Sequence, residues 1–343
     1  MNKINFLTYN ILQKPIGTNV VPNEYKSERL KLFCDEYLLS FDILALQECF
    51  DSGNIRPYNL LKHAHRAGFQ YFCKDPDPPL FSKQLVNGGL MILSKHPIVD
   101  YEHVFYPYSI TKDRIISKGV MWAKIQLPGT PHFLHVFNTH LHAFFSYIDI
   151  DDQVRCHVRR TQQLLILKDF VRRILNKNYK HGDLAIIVGD LNVDSVNNSF
   201  PFDDVITAFE ITPEEKERLR TKNEFDFYKR VLEFNNTDFK VVHTYHEDQG
   251  HFPITYGKYT VNENGEKIPY EKVVTHESEQ FDSTSLDYVL ELKVTEHLKK
   301  EKEDGIRILP GSLKVEEFKV KHEVLTQISD HFGISLQIGN PIR

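Results

Sequence analysis

The sequence has few cysteines and lacks any apolar run long enough to cross a membrane. Its four cysteines are widely spaced and form no Cys-x-x-Cys pair. This excludes a disulfide framework and a zinc site of that kind, and it predicts buried thiols in a reducing compartment. A spanning helix needs about 18 consecutive apolar residues, and the first residues lack the layout of a signal peptide. We therefore expect a cytoplasmic or peripheral membrane protein without a transmembrane span, and secretion without a cleaved signal stays open.

A basic excess is also missing. The chain of 343 residues has 42 Lys and Arg against 47 Asp and Glu, a net charge of −5. Proteins that coat nucleic acid non-specifically need a positive surface, so nucleic acid is not the expected partner, although a local basic cleft is compatible with this charge. Apolar residues at 41% and charged residues at 26% are globular values. They exclude a disordered, collagen-like or coiled-coil chain.

Strand-like runs alternate with helical ones along the whole chain. Helical spacing of apolar residues predicts helices at 25–39, 58–67 and 154–175. Two polar stretches, 195–236 and 260–280, are interpreted as surface excursions and not as linkers between domains, because chemically informative motifs lie on both sides of each. One α/β domain over residues 1–343 is the simplest organisation. The predicted strands are 5–9, 42–46, 89–94, 119–126, 133–138, 184–188, 240–245, 286–290, 313–320 and 332–338.

Carboxylates, amides and histidines follow these apolar runs at their ends, where α/β folds place functional groups. A single Asn after a strand is more often a turn former, but six interruptions of compatible chemistry favour a common site. They are Asn10; Gln47 and Glu48; Asn138, Thr139 and His140; Asp190 and Asn192; Asp287; and Ser329, Asp330 and His331.

This set of side chains suits the hydrolysis of a phosphodiester. Mg²⁺ prefers carboxylate oxygens, and Glu48 and Asp330 are the natural ligands. His331 can act as a base. Asn192 and His140 can donate hydrogen bonds to phosphate oxygens. Asp287 is the candidate for a buried carboxylate that orients the histidine.

In their order, and over nearly the whole chain, these motifs resemble those of the endonuclease/exonuclease/phosphatase superfamily. The resemblance implies a four-layer αββα sandwich, in which two mixed, mostly antiparallel sheets are flanked by helices. It also implies one divalent-metal site at the sheet ends. In that site Glu48 binds Mg²⁺, with Mn²⁺ or Co²⁺ as substitutes, and Asn10 and Asp330 support it.

The same resemblance assigns the groups around the scissile bond. Asp190 positions or activates the nucleophilic water. Asn192 and His140 contact the phosphate. His331, paired with Asp287, is the general base or a stabiliser of the transition state. The choice of base between Asp190 and His331 stays open.

Within the superfamily, the segments between the motifs are most similar to those of neutral sphingomyelinases. These segments are 138–143, 88–94, 113–120 and 253–256. The Trp and Cys that inositol 5-phosphatases carry near residues 188 and 282–287 are missing. The expected reaction is therefore Mg²⁺-dependent cleavage of sphingomyelin to ceramide and phosphocholine. A nuclease, an inositol phosphate phosphatase and an inactive binding module that keeps the fold are the alternatives.

A phospholipid substrate requires contact with a membrane surface, and the enzyme is expected to be a monomer. Aromatic loops suit such an interface. The candidates are Phe105, Tyr106, Tyr108, Phe144, Phe145 and Tyr147, with packing in a core as the alternative. Lys118, beside a glycine, is expected to approach the phosphate as a point charge rather than to be a solvated surface lysine. His142 is expected to support the site through a hydrogen bond.

Overall fold

The computed structural model describes residues 3–15, 21, 24–51, 55–78, 81–107, 109–143, 149–196, 199–233, 235–295 and 305–339. The helices in these residues are α1 (Lys26–Glu36), α2 (Arg56–Arg66), α3 (Ile150–Asn178), α4 (Phe202–Ile206), α5 (Pro213–Leu219), α6 (Glu224–Glu233) and α7 (Thr244–Gln249). The strands are β1 (Ile4–Gln13), β2 (Ile43–Cys49), β3 (Tyr71–Lys74), β4 (Val86–Asn87), β5 (Met91–Ser94), β6 (Ile98–Phe105), β7 (Ile116–Ser117), β8 (Gly119–Gln126), β9 (Phe133–His140), β10 (Leu184–Asp190), β11 (Phe239–His243), β12 (Tyr259–Val261), β13 (Lys267–Pro269), β14 (Asp287–Val294), β15 (Arg307–Ile308), β16 (Lys314–Glu316) and β17 (Gly333–Gly339).

Two large sheets form the centre of the fold. The first has the order β15-β17-β1-β2-β5-β3, with β16 paired to β17, and the second has the order β11-β14-β10-β9-β8-β6. Only the pairs β1–β2 and β9–β10 are parallel within these two sheets among the described residues. The expectation of mixed, mostly antiparallel sheets is confirmed.

Three apolar layers explain why the sheets stack with helices outside them. Side chains such as Phe6 of β1 and Val136 of β9 meet between the two sheets. Phe33 of α1 packs on the outer face of the first sheet. Leu164 of α3 and Phe227 of α6 pack on the outer face of the second. The resulting order of layers is αββα, as the family resemblance implied.

The strand register brings several motif residues to one edge of the sandwich. Asp190, at the end of β10, lies opposite His140 on the parallel neighbour β9 and opposite Asp287 on the antiparallel neighbour β14. In the other sheet, Asn10 of β1 lies opposite Gln47 of β2, next to Glu48. This edge of the sandwich is called the site edge below.

The polar stretch 195–236 is not a surface excursion. Phe225, Tyr228 and Leu232 of α6 are buried in the outer core of the second sheet. Their helical spacing places them on one face, while the charged residues between them face solvent. The prediction of a surface segment was wrong because charge content concealed this periodicity.

Two strand predictions also differ from the structure. The edge strand β6, which pairs only with β8, was not predicted. It is only partly buried, so its apolar pattern is weak. The predicted strand 313–320 is limited to Lys314–Glu316. None of the helices in the described ranges is long and apolar enough to cross a membrane.

Candidate active site

Asp190 is the centre of the polar cluster at the site edge. Its side chain is buried, and its Oδ2 accepts a hydrogen bond from Asn10 Nδ2 at 3.0 Å. The same oxygen lies 3.5 Å from His140 Nε2 and 3.6 Å from His331 Nε2. Its Oδ1 accepts a hydrogen bond from the backbone N–H of Asn192 at 2.9 Å. Residues that are far apart in the sequence therefore converge on one carboxylate.

The backbone of the turn after β10 favours Gly at position 189 and Asn at position 192. Gly189 has a φ of 128°, and a Cβ there would lie 2.0 Å from the carbonyl oxygen of Thr139. Asn192 has a φ of 50°, in the left-handed region that Asn tolerates better than most side chains. The turn is fastened on both sides, since Leu191 N–H donates to Leu286 O and Leu141 N–H donates to Asp190 O.

His331 is held from one side by Asp287. Its Nδ1 lies 2.8 Å from Asp287 Oδ2, and both side chains are buried. Thr255 Oγ1 accepts the backbone N–H of Asp287 at 3.0 Å, and the ring of Tyr256 lies 4.9 Å from the His331 ring between centroids. This arrangement leaves His331 Nε2 directed toward Asp190.

The electrostatics of this group place a proton on the imidazole. Burial lowers the pKa of His331, but the carboxylates of Asp287 and Asp190 outweigh it and raise the pKa to about 10. Burial raises the pKa of Asp190 to about 7, although His331 opposes the shift. Asp190 is therefore more basic than an exposed carboxylate, and it faces a protonated histidine.

Glu48 carries the oxygen that best suits a cation. Its Oε1 accepts a hydrogen bond from Asn10 Nδ2 at 3.2 Å, while its Oε2 is buried without a hydrogen-bond partner among the described residues. A buried carboxylate oxygen without a donor is costly unless a cation or water approaches it. Asp330 is also buried, and its Oδ1 accepts a hydrogen bond from Ser329 Oγ at 3.1 Å. The oxygen donors of Glu48, Asn10 and Asp330 fit a hard divalent cation.

Asp190, Asp287 and His331 form a second group with ligand chemistry. One ligand atom from each lies within 4.8 Å of the others. The contact between His331 and Asp287 is already a hydrogen bond, so this trio is better suited to holding and moving a proton.

Lys118 is buried next to the site, not solvated at the surface. Its Nζ donates to Leu141 O at 2.6 Å and lies 3.1 Å from Asp113 Oδ2. Asn192 Nδ2 donates to the same Leu141 oxygen at 3.1 Å, so the amide and the ammonium are neighbours. His142 Nδ1 lies 3.0 Å from Asp113 Oδ2. Burial raises the pKa of Asp113, but Lys118 and His142 outweigh it and hold the pKa well below its usual range.

The sequence matches the profile of a known protein family and is similar to several known proteins. The profile of the "Endonuclease/Exonuclease/phosphatase family" matches residues 7–264. The chain belongs to this family. A sphingomyelinase of Dictyostelium discoideum is 28% identical over 339 residues, which cover 87% of this chain and 71% of the relative. Sphingomyelinase C of Bacillus cereus is 28% identical over 203 residues, covering 56% of this chain and little more than half, 57%, of that relative.

A solved structure shares the fold. It is a double mutant of beta toxin from Staphylococcus aureus with bound magnesium ions, and it superposes with a TM-score of 0.58 at 18% identity. The superposition covers 98% of this chain and 99% of the other. Together with the sphingomyelinase relatives, membership of the endonuclease/exonuclease/phosphatase family makes this protein a hydrolase of phosphoric diester bonds.

Lys14 is a charged residue near the candidate metal ligands that the sequence pattern did not indicate. Burial lowers the pKa of Lys14, but Glu48 and Asp330 outweigh it and raise the pKa. The ammonium group is therefore close to both carboxylates. Lys14 follows the end of β1 in a segment without a recognisable motif, so only the tertiary structure reveals it.

The structure does not place the predicted membrane contacts together at an exposed surface among the described residues. Tyr106 is only 4% exposed, its hydroxyl lies 2.7 Å from Thr139 Oγ1, and it belongs to the core under α3. Its assignment as a membrane contact was wrong, because burial under a helix cannot be read from a local aromatic sequence. Phe105 ends the edge strand β6, half-buried, with its ring 4.6 Å from His103. Tyr108, Phe144, Phe145 and Tyr147 lie outside the described residues.

A buried ionic network behind the site ties two of its loops to the outer helices. Arg160 of α3 donates to Glu224 Oε1 and, through Nη1, to the carbonyl oxygen of His142 at 3.3 Å. Glu224 Oε2 accepts the backbone N–H of Asp194 at 3.2 Å, and its Oε1 lies 2.9 Å from His157 Nδ1. The network therefore joins the segment after His140 to the turn that contains Asn192.

We expect Glu224→Gln to lower the free energy of unfolding by about 3 kcal/mol at neutral pH, because it leaves the buried Arg160 charge uncompensated. Burial raises the pKa of Glu224, but Arg160 and His157 outweigh it and lower the pKa to about 2. The stabilisation is therefore complete above the unfolded-state pKa of about 4.3 and is lost as pH falls toward about 2. Urea unfolding at several pH values measures this effect.

The matched control is Glu217→Gln, which removes an exposed partner of Arg220 and should change stability by less than about 0.5 kcal/mol. A loss from Glu224→Gln that stays constant from neutral pH to pH 3 contradicts the ionic explanation.

Proposed function

We propose that this protein is a Mg²⁺-dependent phospholipase C of the neutral sphingomyelinase type. It would hydrolyse sphingomyelin, or a related sphingophospholipid, to ceramide and phosphocholine. The observation that carries the proposal is the convergence of Asn10, His140 and His331 on Asp190 at 3.0–3.6 Å. The sphingomyelinase relatives, 28% identical, support the substrate class.

The residues around Asp190 can divide the work of hydrolysis. Asp190, with its raised pKa, accepts a proton from water as the water oxygen attacks phosphorus. The bond between phosphorus and the ceramide oxygen breaks, the leaving oxygen takes up a proton from solvent water, and Asp190 then releases its proton to solvent. His331, kept protonated by Asp287, stabilises the negative charge that develops. This division makes Asp190 the base and His331 the electrostatic partner.

Three further side chains suit the phosphate itself. Burial, together with Lys118, lowers the pKa of His140 well below its usual value, so its imidazole is neutral. Its Nδ1 is buried without a hydrogen-bond partner among the described residues, and a phosphate oxygen would supply one. Asn192 and Lys118 add an amide and an ammonium beside Leu141 O. A Mg²⁺ ion held by Glu48, Asn10 and Asp330 would neutralise phosphate charge.

Release of phosphocholine from sphingomyelin vesicles tests the proposal. We expect Mg²⁺-dependent release by the wild-type protein that EDTA abolishes and that His331→Ala reduces to background. Plasmid DNA, short RNA and inositol phosphates, offered under the same conditions, represent the alternatives of a nuclease and a phosphatase. Hydrolysis of one of these substrates above the level of His331→Ala, without hydrolysis of sphingophospholipids, would contradict the assignment.

A catalytically inactive binding module remains the alternative of another class. It predicts no hydrolysis of any of these substrates. A calorimetric titration without a Mg²⁺ or Mn²⁺ response would favour it, because the buried oxygen of Glu48 would then have no cation to bind.

A further inference from the structure

Exposed apolar side chains surround the site edge on several separate loops. Each lies on a segment that is next in the chain to a strand end at the site edge: after β2, between β3 and β5, at the start of α3, after β10 and before β14. The residues, with their exposed fractions, are Ile55 (68%), Phe81 (105%), Leu85 (69%), Ile150 (74%), Val196 (49%) and Phe281 (45%). We call these six residues the apolar rim.

Hydrogen bonds hold the segment that presents Leu85, four residues after Phe81. Leu85 N–H donates to Ile115 O at 2.8 Å, and Gln84 Nε2 donates to Ile116 O at 3.3 Å. The strand β4 that follows pairs with β7, which ends next to Lys118. The backbone that carries Leu85 is thus ordered and is connected through β4 and β7 to the residue before Lys118, so it has little ordering entropy left to lose on binding.

Single exposed apolar residues are common on protein surfaces and need no explanation. Six at one end of the sandwich are different, because the strand ends next to them in the chain are those at the site edge. They come from separate segments of the chain and not from one face of a helix or sheet. A fluid lipid surface has no fixed shape and accepts scattered apolar anchors around a central site. Lys83 is exposed between Phe81 and Leu85. Its ammonium can stay among the lipid head groups while its aliphatic chain lies beside the two apolar side chains.

We propose that the apolar rim is the membrane-binding surface of this protein, with Phe81 and Leu85 as its principal anchors. The lipid interface then lies across the site edge, so that a head group faces Lys118 and Asp190. This inference rests on the proposed function, since a sphingophospholipid substrate resides in a bilayer. It assigns the contact to residues other than the aromatic ones that the sequence indicated.

The double variant Phe81→Ser with Leu85→Ser tests the anchors, and Leu39→Ser is the matched control. Leu39 is 70% exposed, almost the same as Leu85, but it lies in the turn Leu38–Ser40 that precedes β2, at the strand end opposite Glu48. Binding is measured by co-sedimentation with vesicles of phosphatidylcholine and sphingomyelin. All proteins carry His331→Ala, so that the vesicles stay intact.

We expect the double variant to bind these vesicles about tenfold more weakly or worse, since two apolar anchors leave the interface. Leu39→Ser should bind as the parent does. In proteins that retain His331, cleavage of a water-soluble short-chain sphingomyelin should stay within about twofold, whereas cleavage of vesicles should fall with binding. Unchanged vesicle binding, or an equal loss on the two substrates, overturns the proposal.

The experiments distinguish a failure of the apolar rim as the membrane-binding surface from a failure of the proposed function. If the wild-type protein does not hydrolyse sphingomyelin but the double variant still loses vesicle binding, the membrane surface stands and the proposed substrate fails. If sphingomyelin is hydrolysed but vesicle binding is unchanged in the double variant, the proposed function stands and the apolar rim fails.

Discussion

Replacing His331 by alanine should lower the rate of phosphodiester hydrolysis by a factor of about 10³, the upper end for loss of one electrostatic stabiliser of the transition state. The imidazole lies between Asp287 and Asp190, at 2.8 and 3.6 Å. Its removal takes away the positive charge that faces the reaction and leaves two buried carboxylates without their shared partner. The measurement is kcat at saturating substrate, because a defect in transition-state stabilisation lowers kcat.

Asp287→Asn should cause a smaller loss, of about 10 to 10², because His331 stays in place but one of the two carboxylates that raise its pKa has lost its charge. The control is His96→Ala, at the opposite end of the strands, just after β5. That imidazole is half-buried and does not contact the site, so the rate should stay within about twofold. If His331→Ala kept a tenth of the wild-type rate, the central role assigned to this histidine would be wrong.

Replacing Glu48 by glutamine should weaken the binding of Mg²⁺ at least a hundredfold and lower the rate at limiting metal in proportion. The substitution preserves the shape and the acceptor for Asn10 Nδ2, but it removes the negative charge. Isothermal titration with Mg²⁺ measures the affinity. Higher metal concentrations should recover part of the rate, because the other oxygen donors remain.

The response of the melting temperature to Mg²⁺ in the same variant separates a metal site from a structural one. Without metal, the wild-type protein buries an oxygen of Glu48 that lacks a hydrogen-bond partner among the described residues. Addition of Mg²⁺ should raise the Tm of the wild-type protein and leave that of the variant nearly unchanged.

Glu102→Gln is the matched control for these two measurements. Its carboxylate pairs with Arg173 on the exposed edge of the second sheet, so neither metal affinity nor the response of the Tm to Mg²⁺ should change. An equal Mg²⁺ response in Glu48→Gln and the wild-type protein would exclude Glu48 as a ligand.

Much of the sheet framework could be predicted because strand periodicity is local. The bounds of β8 (Gly119–Gln126) match the prediction, and β10 extends the predicted strand by two residues to Asp190. Both strands are apolar and bounded by turn-forming or polar residues, so nearby sequence carries the signal. The edge strand β6 escaped prediction because partial burial weakens this periodicity.

The sequence by itself determined which chemical groups the site contains, and their order along the chain identified the family. Each motif is a short polar interruption at a strand end, which neighbouring residues reveal. Only the tertiary structure decided what these groups face. It buried Lys118 beside Asp113, placed Tyr106 in a core and raised the pKa of His331 through Asp287. Burial and electrostatic environment depend on contacts between distant segments, whereas strand and turn propensity depend on adjacent residues.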